Sequence, residues 1–269
     1  MTETSYAGKV IVVTGASSGI GRALCLALAP ERPRLVLAAR DAERLEEVAK
    51  ECRAAGAEAL VVRTDVSSEA AGRDLVARTV ETFGALDVLV NNAGIGMLAR
   101  FDEVSDLSVY EALMRVNYLG CVYLTHHALP HLKKSRGQIV VVASVAGLTG
   151  VPTRTGYAAS KHAVFGFFDS LRIELDGSGV SVTIIAPDFV RSEIHRRAFG
   201  ADGKPTGTSP LQESRIMSAE ACAGLIARAM EKRQRLLITS WRGRLGRLVR
   251  LFAPGLIDAV ARKAVAQGK

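Results

Sequence analysis

The sequence predicts an α/β fold with one doubly wound, parallel sheet of seven strands and helices on both faces. Short apolar runs of four to seven residues recur along the chain, and longer stretches with helical periodicity separate them. The alternation shows no linker, internal repeat or low-complexity segment before residue 199. We therefore expect a single domain over residues 1–240, followed by a basic amphipathic helical extension over residues 241–269.

Each strand is predicted from an apolar run, and each helix from its periodicity and its capping residues. The predicted strands are 9–14, 34–39, 58–63, 85–90, 137–143, 180–186 and 235–239. The predicted helices are approximately 19–29, 41–55, 67–83, 106–133, 156–176 and 218–232. Asp41, Ser67 and Ser218 stand where helix N-caps are needed, because a short polar side chain there accepts hydrogen bonds from free N–H groups.

A long connection, about residues 188–217, follows the sixth strand. Its central part, residues 199–210, is rich in Gly, Pro, Ser and Thr. Such a segment fits either a mobile loop over a substrate site or an ordinary surface excursion.

The net charge of the chain comes from its C-terminal part. The 269 residues include 35 Lys and Arg against 27 Asp and Glu, a formal charge of +8. Residues 228–269 hold eleven basic residues against two acidic ones, a charge of +9, so residues 1–227 carry a charge of −1. A nearly neutral body argues against a nucleic-acid partner, and 48% hydrophobic residues exclude a disordered chain.

No metal site, disulfide or targeting segment is expected. The cysteines are far apart in the sequence and predict reduced, buried thiols: Cys25, Cys52, Cys121 and Cys222. His127 and His131 have the spacing of a zinc pair, but no third ligand accompanies them. The N-terminus lacks a basic region before an apolar stretch, and no run reaches the roughly 18 apolar residues of a membrane span. We expect a cytoplasmic protein, either free or peripheral at a membrane surface.

A glycine-rich segment, TGASSGIG, joins the first strand to the first helix and predicts a Rossmann-type dinucleotide site. Its glycines allow a sharp turn, a close approach to a pyrophosphate and tight packing of the helix on the sheet. The N–H groups and the dipole of the helix N-terminus then bind the anion. The expected cofactor contacts of this segment are Gly15, Ser17, Ser18, Gly19, Ile20 and Gly21.

The end of the second strand favours NADP(H) as the cofactor, with NAD(H) as the alternative. The strand ends Ala38-Ala39-Arg40-Asp41. Arg40 can pair with a 2′-phosphate in fork geometry, whereas Ala39 offers no acidic partner to the ribose hydroxyl of NAD. The alternative interpretation is that Arg40 is a solvated residue beside a helix N-cap.

Two further motifs, Asp65-Val66 and Asn91-Asn92-Ala93-Gly94, follow the third and fourth strands. Together with TGASSGIG, they make the chain resemble the classical short-chain dehydrogenase/reductase family over residues 9–192. The apolar C-terminal region, with the catalytic residues described below, resembles the steroid-dehydrogenase-like branch of that family. The resemblance implies that Asp65 and Val66 contact the adenine ring. It also implies that the stretch from Asn91 to Gly94 lines the cofactor, through Asn91, Ala93 and Gly94, and steadies the central sheet. Judged by its position alone, Asp65 is better explained as a loop cap.

A tyrosine and a lysine four residues apart, Tyr157 and Lys161, share one face of a predicted helix. Hydride transfer between a carbinol and a nicotinamide needs a group that exchanges the oxygen's proton, and an adjacent ammonium stabilises a phenolate for that purpose. Ser144, at the end of a strand, is expected at the same edge of the sheet. The resemblance implies that Ser144 holds the substrate oxygen, that Tyr157 transfers the proton and that Lys161 also binds the nicotinamide ribose.

Asn117 completes this predicted catalytic set. The resemblance implies that it bends its helix and holds a water in a proton relay through Lys161. An isolated asparagine in a helix is, however, commonly just a polar contact.

After the sixth strand the family usually has Pro-Gly and then a threonine that binds the nicotinamide carboxamide. This chain has Pro187-Asp188-Phe189-Val190-Arg191-Ser192. Pro187, Val190 and Ser192 are therefore expected cofactor contacts, and Asp188 is a departure that brings a carboxylate towards the nicotinamide end.

The extension over residues 241–269 is predicted as a basic amphipathic helix that Pro254 interrupts. Arg247 and Arg250 lie opposite its apolar face, which consists of Leu245, Leu248, Val249, Phe252, Leu256 and Val260. Three roles stay open for this face: contact with a membrane surface, cover of the enzyme's own substrate cleft, or contact with a partner subunit.

These observations predict an NADP(H)-dependent oxidoreductase for a ketone or secondary alcohol on a small apolar, steroid- or lipid-like substrate, with a homodimer or homotetramer as its assembly. The alternatives are a 3-oxoacyl thioester reductase of lipid synthesis and a non-catalytic dinucleotide-binding scaffold. The extra residues after 240 weigh against the reductase, and the complete set of four catalytic residues weighs against the scaffold.

Overall fold

The computed structural model describes residues 6–208 and 216–266, with side chains up to residue 262. In this part of the chain, seven parallel strands form one sheet in the order β3-β2-β1-β4-β5-β6-β7. The strands are β1 (Val10–Thr14), β2 (Arg34–Ala39), β3 (Glu58–Arg63), β4 (Val88–Asn91), β5 (Gln138–Val142), β6 (Ser181–Ala186) and β7 (Leu236–Ile238). Strand β1 pairs in parallel with β2 on one side and with β4 on the other. The direction in which the strands are added to the sheet reverses between β1 and β4. The predicted fold class is confirmed.

Helices cover both faces of the sheet. They are α1 (Gly19–Leu28), α2 (Ala42–Ala54), α3 (Glu69–Phe83), α4 (Ser108–Met114), α5 (Gly120–Ser135), α6 (Thr155–Glu174), α7 (Ala219–Glu231), α8 (Trp241–Phe252) and α9 (Pro254–Ala266). Successive residues of β1 enter opposite cores, because side chains alternate along a strand. Ile11 packs in the core beneath α1, α2 and α7, and Val12 in the core beneath α3, α5 and α6.

Two of the three predicted N-caps are correct. Asp41 accepts a hydrogen bond from the Arg44 N–H, and Ser218 caps α7 in the same way. The prediction for Ser67 is wrong, since α3 begins one residue later and Ser68 is its cap. The reason is local: the N–H and hydroxyl of Ser67 both donate to the Asp65 carboxylate, at 3.0 and 2.7 Å.

The helix predicted at about residues 106–133 is present, since helical residues run from Ser108 to Ser135 without a break. Its interior is not uniform, however: a π-helical turn, Arg115–Leu119, lies between α4 and α5 and carries Asn117. The side chain of Asn117 is buried and exchanges two hydrogen bonds with the backbone of Ile95. These bonds tie the turn to the loop after β4, so the predicted bend at Asn117 exists as a π turn.

The C-terminal extension forms two helices: α8 ends at Phe252, and α9 begins at Pro254. The break falls at Pro254, where an interruption was predicted. The arginine side of α8 faces the protein: Arg250 donates to the Leu148 carbonyl and Arg244 Nε to the Ile238 carbonyl. The apolar side points outward, and Phe252 is 87% exposed. The amphipathic pattern of α8 is therefore as predicted, and its apolar side is exposed. On α9, by contrast, Ile257 and Val260 border the cavity at the carboxyl ends of the strands.

Among the helices that the structure describes, none combines the length and the apolar character of a bilayer-spanning segment. The four cysteines are reduced and buried, as predicted. Burial raises the pKa of Cys121 and of Cys52 to about 11 and that of Cys222 to about 12. Within the described residues, no cluster of His, Cys, Asp or Glu side chains could hold a metal ion.

Candidate active site

A cavity of about 1650 Å³ lies at the carboxyl ends of the strands. It is bordered by the segments that follow β1, β2, β3, β4, β5 and β6, around the reversal of the sheet order, where open α/β sheets bind ligands. The predicted site residues that border it are Gly15, Ser17, Ser18, Gly19, Ile20, Arg40, Asp65, Val66, Ala93, Gly94, Ser144, Tyr157, Lys161, Pro187, Val190 and Ser192. Three others, Gly21, Asn91 and Asn117, are not among the residues that line it.

The glycine-rich segment forms a tight cradle at one end of the cavity. Gly15 has a φ of +66°, a left-handed conformation that favours glycine. A Cβ on Gly21 would lie 2.4 Å from the Gly15 carbonyl oxygen, so this glycine packs α1 against the turn instead of facing the cavity. The side chain of Ser18 makes no capping bond to α1, which leaves N–H groups of the first turn available to an anion. The cradle fits a dinucleotide pyrophosphate.

The loop after β4 is fastened to this cradle by Thr14. Its hydroxyl donates to the Val90 carbonyl and accepts hydrogen bonds from the N–H groups of Asn92 and Ala93, at 2.9 and 3.0 Å. The Asn92 amide also donates to the Thr14 carbonyl at 2.8 Å. The sequence analysis named Asn92 only as part of its motif and gave Thr14 no role, because only the pairing of β1 with β4 brings the two residues together.

Asn91 was predicted to line the cofactor and to steady the central sheet, and its side chain is placed for the second of these roles, since it is buried in the protein. Its amide donates to the Thr125 hydroxyl at 3.1 Å. As the last residue of β4, it points to the opposite side of the strand from Asn92, which borders the cavity. Asn91 therefore steadies α5 against the sheet.

The far end of the cradle carries Arg40 and Asp65. Arg40 is exposed at the cavity rim, and its carbonyl accepts a hydrogen bond from Arg63 at 3.2 Å. Burial raises the pKa of Asp65, but the hydrogen bonds from Ser67 and the charge of Arg40 outweigh it, so the pKa lies below its usual value. Asp65 is thus a charged loop cap at the place where an adenine contact was predicted.

The connection after β6 closes over the cradle. Ser192 lies close to Gly19, with its Cβ 3.2 Å from the position of a Cβ there. The next residue, Glu193, pairs with Arg44 of α2 at 2.9 Å. Residues 209–215, which belong to the predicted loop of about 188–217, lie outside the described residues.

Asp188, the departure from the family pattern, anchors the C-terminal extension. Its carboxylate accepts a hydrogen bond from the Ser240 hydroxyl at 2.7 Å, and its N–H donates to the Thr239 hydroxyl at 3.1 Å. Ser240 is also the N-cap of α8. This residue pair, 52 positions apart, brings Gly243, Gly246 and Arg247 to the cavity wall.

Ser144, Tyr157 and Lys161 border the same cavity. Lys161 is 4% exposed, and its Nζ donates to the Val142 carbonyl at 2.9 Å and lies 5.8 Å from the centre of the Tyr157 ring. The Ser144 hydroxyl accepts a hydrogen bond from the Ala146 N–H at 3.1 Å. A hydroxyl, a phenol and a buried ammonium therefore stand together at the end of β5 and the start of α6.

Asn117 lies behind this group. Its amide donates to the Ser160 hydroxyl at 2.9 Å, and its oxygen is 3.1 Å from the position of a Cβ on Gly94. A Cβ on Gly94 would also be 3.7 Å from the Lys161 Nζ. The asparagine thus joins the π-helical turn to α6 and, through Ile95, to the loop after β4.

A sequence model described as short chain dehydrogenase matches residues 9–202. The chain belongs to this family. It is accordingly an oxidoreductase of the short-chain dehydrogenase/reductase type, acting on CH–OH donors. The family match ends before β7, so it leaves out the extension that Asp188 holds.

The similar proteins include hydroxysteroid dehydrogenases. The chain is 37% identical to "11-beta-hydroxysteroid dehydrogenase A" of Sesamum indicum over 262 residues, which cover 95% of this chain and 75% of the relative. It is 34% identical to a "dehydrogenase/reductase SDR family protein 7-like" of Dictyostelium discoideum, over 97% of this chain and 83% of the relative.

Two solved structures show the same fold. A short chain dehydrogenase/reductase from Burkholderia phymatum in complex with NAD has a TM-score of 0.83 and 31% identity, covering 95% of this chain and 96% of its own. An alcohol dehydrogenase from Thermococcus sibiricus complexed with 5-hydroxy-NADP has a TM-score of 0.73 and 29% identity, covering 86% of this chain and 95% of its own.

Proposed function

We propose that the protein interconverts a ketone and a secondary alcohol on an apolar, steroid- or lipid-like substrate, with NADP(H) as the preferred cofactor and Tyr157 as acid and base. One observation carries the proposal: Ser144, Tyr157 and the buried Lys161 border one cavity at the switch point of the sheet, beside a glycine cradle. A bound nicotinamide dinucleotide would supply or accept the hydride.

Each of these residues has a distinct task in this proposal. The Ser144 hydroxyl donates a hydrogen bond to the substrate oxygen and fixes its position. The Tyr157 hydroxyl gives its proton to that oxygen during reduction and takes it back during oxidation. Lys161 stabilises the phenolate, and since one of its three N–H donors is used by Val142, two remain for Tyr157 and a ribose hydroxyl.

The cofactor preference is proposed from Arg40. It is exposed at the rim, and Ala39 before it offers no carboxylate to a ribose hydroxyl. Arg40→Ala should raise KM for NADPH by about tenfold or more and KM for NADH by less than about twofold, because a charged hydrogen bond to phosphate is lost. Lys50→Ala, an exposed lysine on α2, is the control and should change neither. Equal effects of Arg40→Ala on both cofactors would refute the phosphate role.

The substrate class is proposed from the apolar side chains that border the cavity beyond Ser144. They are Leu98, Leu148, Val151, Phe189 and Phe199, among others. The names of the hydroxysteroid dehydrogenase relatives agree with a substrate of this kind. The test is a screen of NADPH oxidation and NADP reduction with ketosteroids, retinoids, acyl thioesters and small ketones. Turnover of acyl thioesters alone would favour the 3-oxoacyl thioester reductase, and no turnover of any compound would favour a scaffold.

The outward face of α8 and α9 is available for contact with a lipid surface or with another subunit. It exposes Leu248, Leu251, Phe252 and Leu256. An exposed apolar helix face on a segment of net charge +9, residues 228–269, suits contact with an anionic lipid surface, and we assign this face to that contact. We assign a homodimer or homotetramer to the enzyme.

Co-sedimentation with vesicles that contain anionic lipid tests this assignment. The double variant Leu251→Glu/Phe252→Glu should no longer sediment, and neither residue borders the cavity. If the intact protein stays in the supernatant and the variant alters only its sedimentation coefficient, the face is a subunit contact.

A further inference from the structure

We propose that the substrate carries a carboxylate in addition to its carbonyl or carbinol, and that Arg154 binds this carboxylate in the cavity wall beside Tyr157. The inference rests on the proposed function and narrows its substrate class from an apolar molecule to an apolar acid. Arg154 precedes Tyr157 by three residues and borders the same cavity.

Arg154 occupies a position where a cation without a partner is costly. It is the N-cap residue of α6, at the positive end of the helix dipole, which disfavours a basic side chain. Burial lowers the pKa of its guanidinium, and the charge of Tyr157 in its phenolate form opposes that shift. A buried charge is normally paired, because its desolvation is otherwise uncompensated.

No carboxylate within the described residues supplies that partner. The guanidinium takes part in no ion pair or side-chain hydrogen bond there; it lies over the ring of Phe189, 5.5 Å from its Cζ, and interacts with the charge of Tyr157 when that residue is a phenolate. An aromatic face attracts a cation but accepts none of the five N–H bonds that a guanidinium can donate. These donors border the cavity and are open to a ligand.

Two carboxylates that border the cavity have other partners: Asp188 accepts from the Ser240 hydroxyl, and Glu193 pairs with Arg44 and Arg197. Helix α8 adds two exposed arginines to the cavity lining, Arg242 and Arg247, so that its cations outnumber these carboxylates. The substrate side is therefore apolar in its side chains and positive in its charge, which complements an amphipathic anion.

A matched pair of probes tests the proposal: 4-oxododecanoate and its methyl ester, which differ in the charge. The wild-type enzyme should use the acid with a kcat/KM about tenfold or more above that of the ester, because a charge-assisted, fork-shaped hydrogen bond is available only to the acid. Arg154→Gln should remove this preference by raising KM for the acid and not for the ester, whereas any loss of its charge's influence on Tyr157 should appear as the same change in kcat with both substrates.

Two variants separate a binding role from a structural one. Arg154→Lys keeps the charge without the fork and should retain part of the preference. Arg172→Gln, on the same helix but away from the cavity, should change neither substrate. Equal use of acid and ester by the wild type would overturn the proposal, and so would an equal loss with both substrates in Arg154→Gln.

A binding measurement keeps the proposal testable if neither probe is turned over. Dodecanoate and 1-dodecanol are titrated by calorimetry into the complex with NADPH. Tighter binding of dodecanoate, lost in Arg154→Gln, supports the carboxylate site, and equal binding of the two overturns it. Tyr157→Phe distinguishes the two claims: it should lower kcat by a factor of about 100 to 10,000 and keep dodecanoate binding, so that turnover at the wild-type rate counts against the proposed function alone.

Discussion

Gly21 offers a quantitative test of how the cradle is built. A Cβ at this position would lie 2.4 Å from the Gly15 carbonyl oxygen and 2.5 Å from the Asn92 amide nitrogen. Ordinary contact begins at 3.4 Å, so Gly21→Ala requires these groups to move apart by about 1 Å. Neither group can yield freely, because the Asn92 amide is held by the Thr14 carbonyl.

The expected cost follows from three contributions. Overpacking costs about 1–3 kcal/mol, and weakening the Asn92 bond costs about 1 kcal/mol. The better helix propensity of alanine returns about 1 kcal/mol, so Gly21→Ala should lower the free energy of unfolding by about 1–3 kcal/mol. The Kd for NADPH should rise as well, because the turn and the start of α1 separate.

Urea unfolding followed by circular dichroism measures the stability, and calorimetry measures NADPH binding. Gly166→Ala is the matched control, since this glycine of α6 has open space within 4 Å of its Cβ position. The control should gain up to about 1 kcal/mol and bind NADPH as the wild type does. If Gly21→Ala matched the control in both measurements, the close packing of α1 on the turn would not support the cradle.

Three further outcomes are expected. Asn117→Ala leaves the N–H and C=O of Ile95 without their partner. It should lower the free energy of unfolding by about 1–3 kcal/mol and should also lower kcat. A variant with wild-type stability and wild-type kcat would show that Asn117 is dispensable. Asp188→Gly removes the bond to Ser240, so trypsin should cut within α8 faster than in the wild type, and an unchanged cleavage rate would contradict the anchor. All four cysteine thiols are buried, and burial raises the pKa of Cys222 to about 12. A thiol reagent at pH 8 should therefore label the protein only after unfolding. Rapid labelling of the native protein would show that the thiols are accessible.

The local chemistry of the sequence was sufficient for the strands and most of the helix starts. Apolar runs located the parallel strands, since both faces of the sheet are buried, and Asp41 and Ser218 cap the helices that follow them. Ser67 is not the N-cap of α3, because its hydroxyl donates a hydrogen bond to the Asp65 carboxylate. Ser67 and Ser68 are both possible N-caps, and the helical periodicity does not distinguish between them.

The features that sequence patterns missed depend on partners far along the chain. The π turn at Asn117 is held by Ile95, 22 positions away, and the role of Asp188 is set by Ser240, 52 positions away. The apolar stripe of α8 was visible in the sequence, but which side faces the body depends on the contact of Arg250 with Leu148. Arg154 stood out only when the cavity and its unpaired guanidinium were known.

The central claim is that Tyr157 exchanges a proton with the substrate oxygen while Lys161 and the cradle hold the cofactor. The most direct test measures kcat of Tyr157→Phe with the best ketone of the screen, and the Kd for NADPH on the same preparation. We predict a fall of kcat by a factor of about 100 to 10,000, because general acid–base catalysis is lost, with an unchanged Kd for NADPH. A kcat equal to that of the wild type would contradict the account.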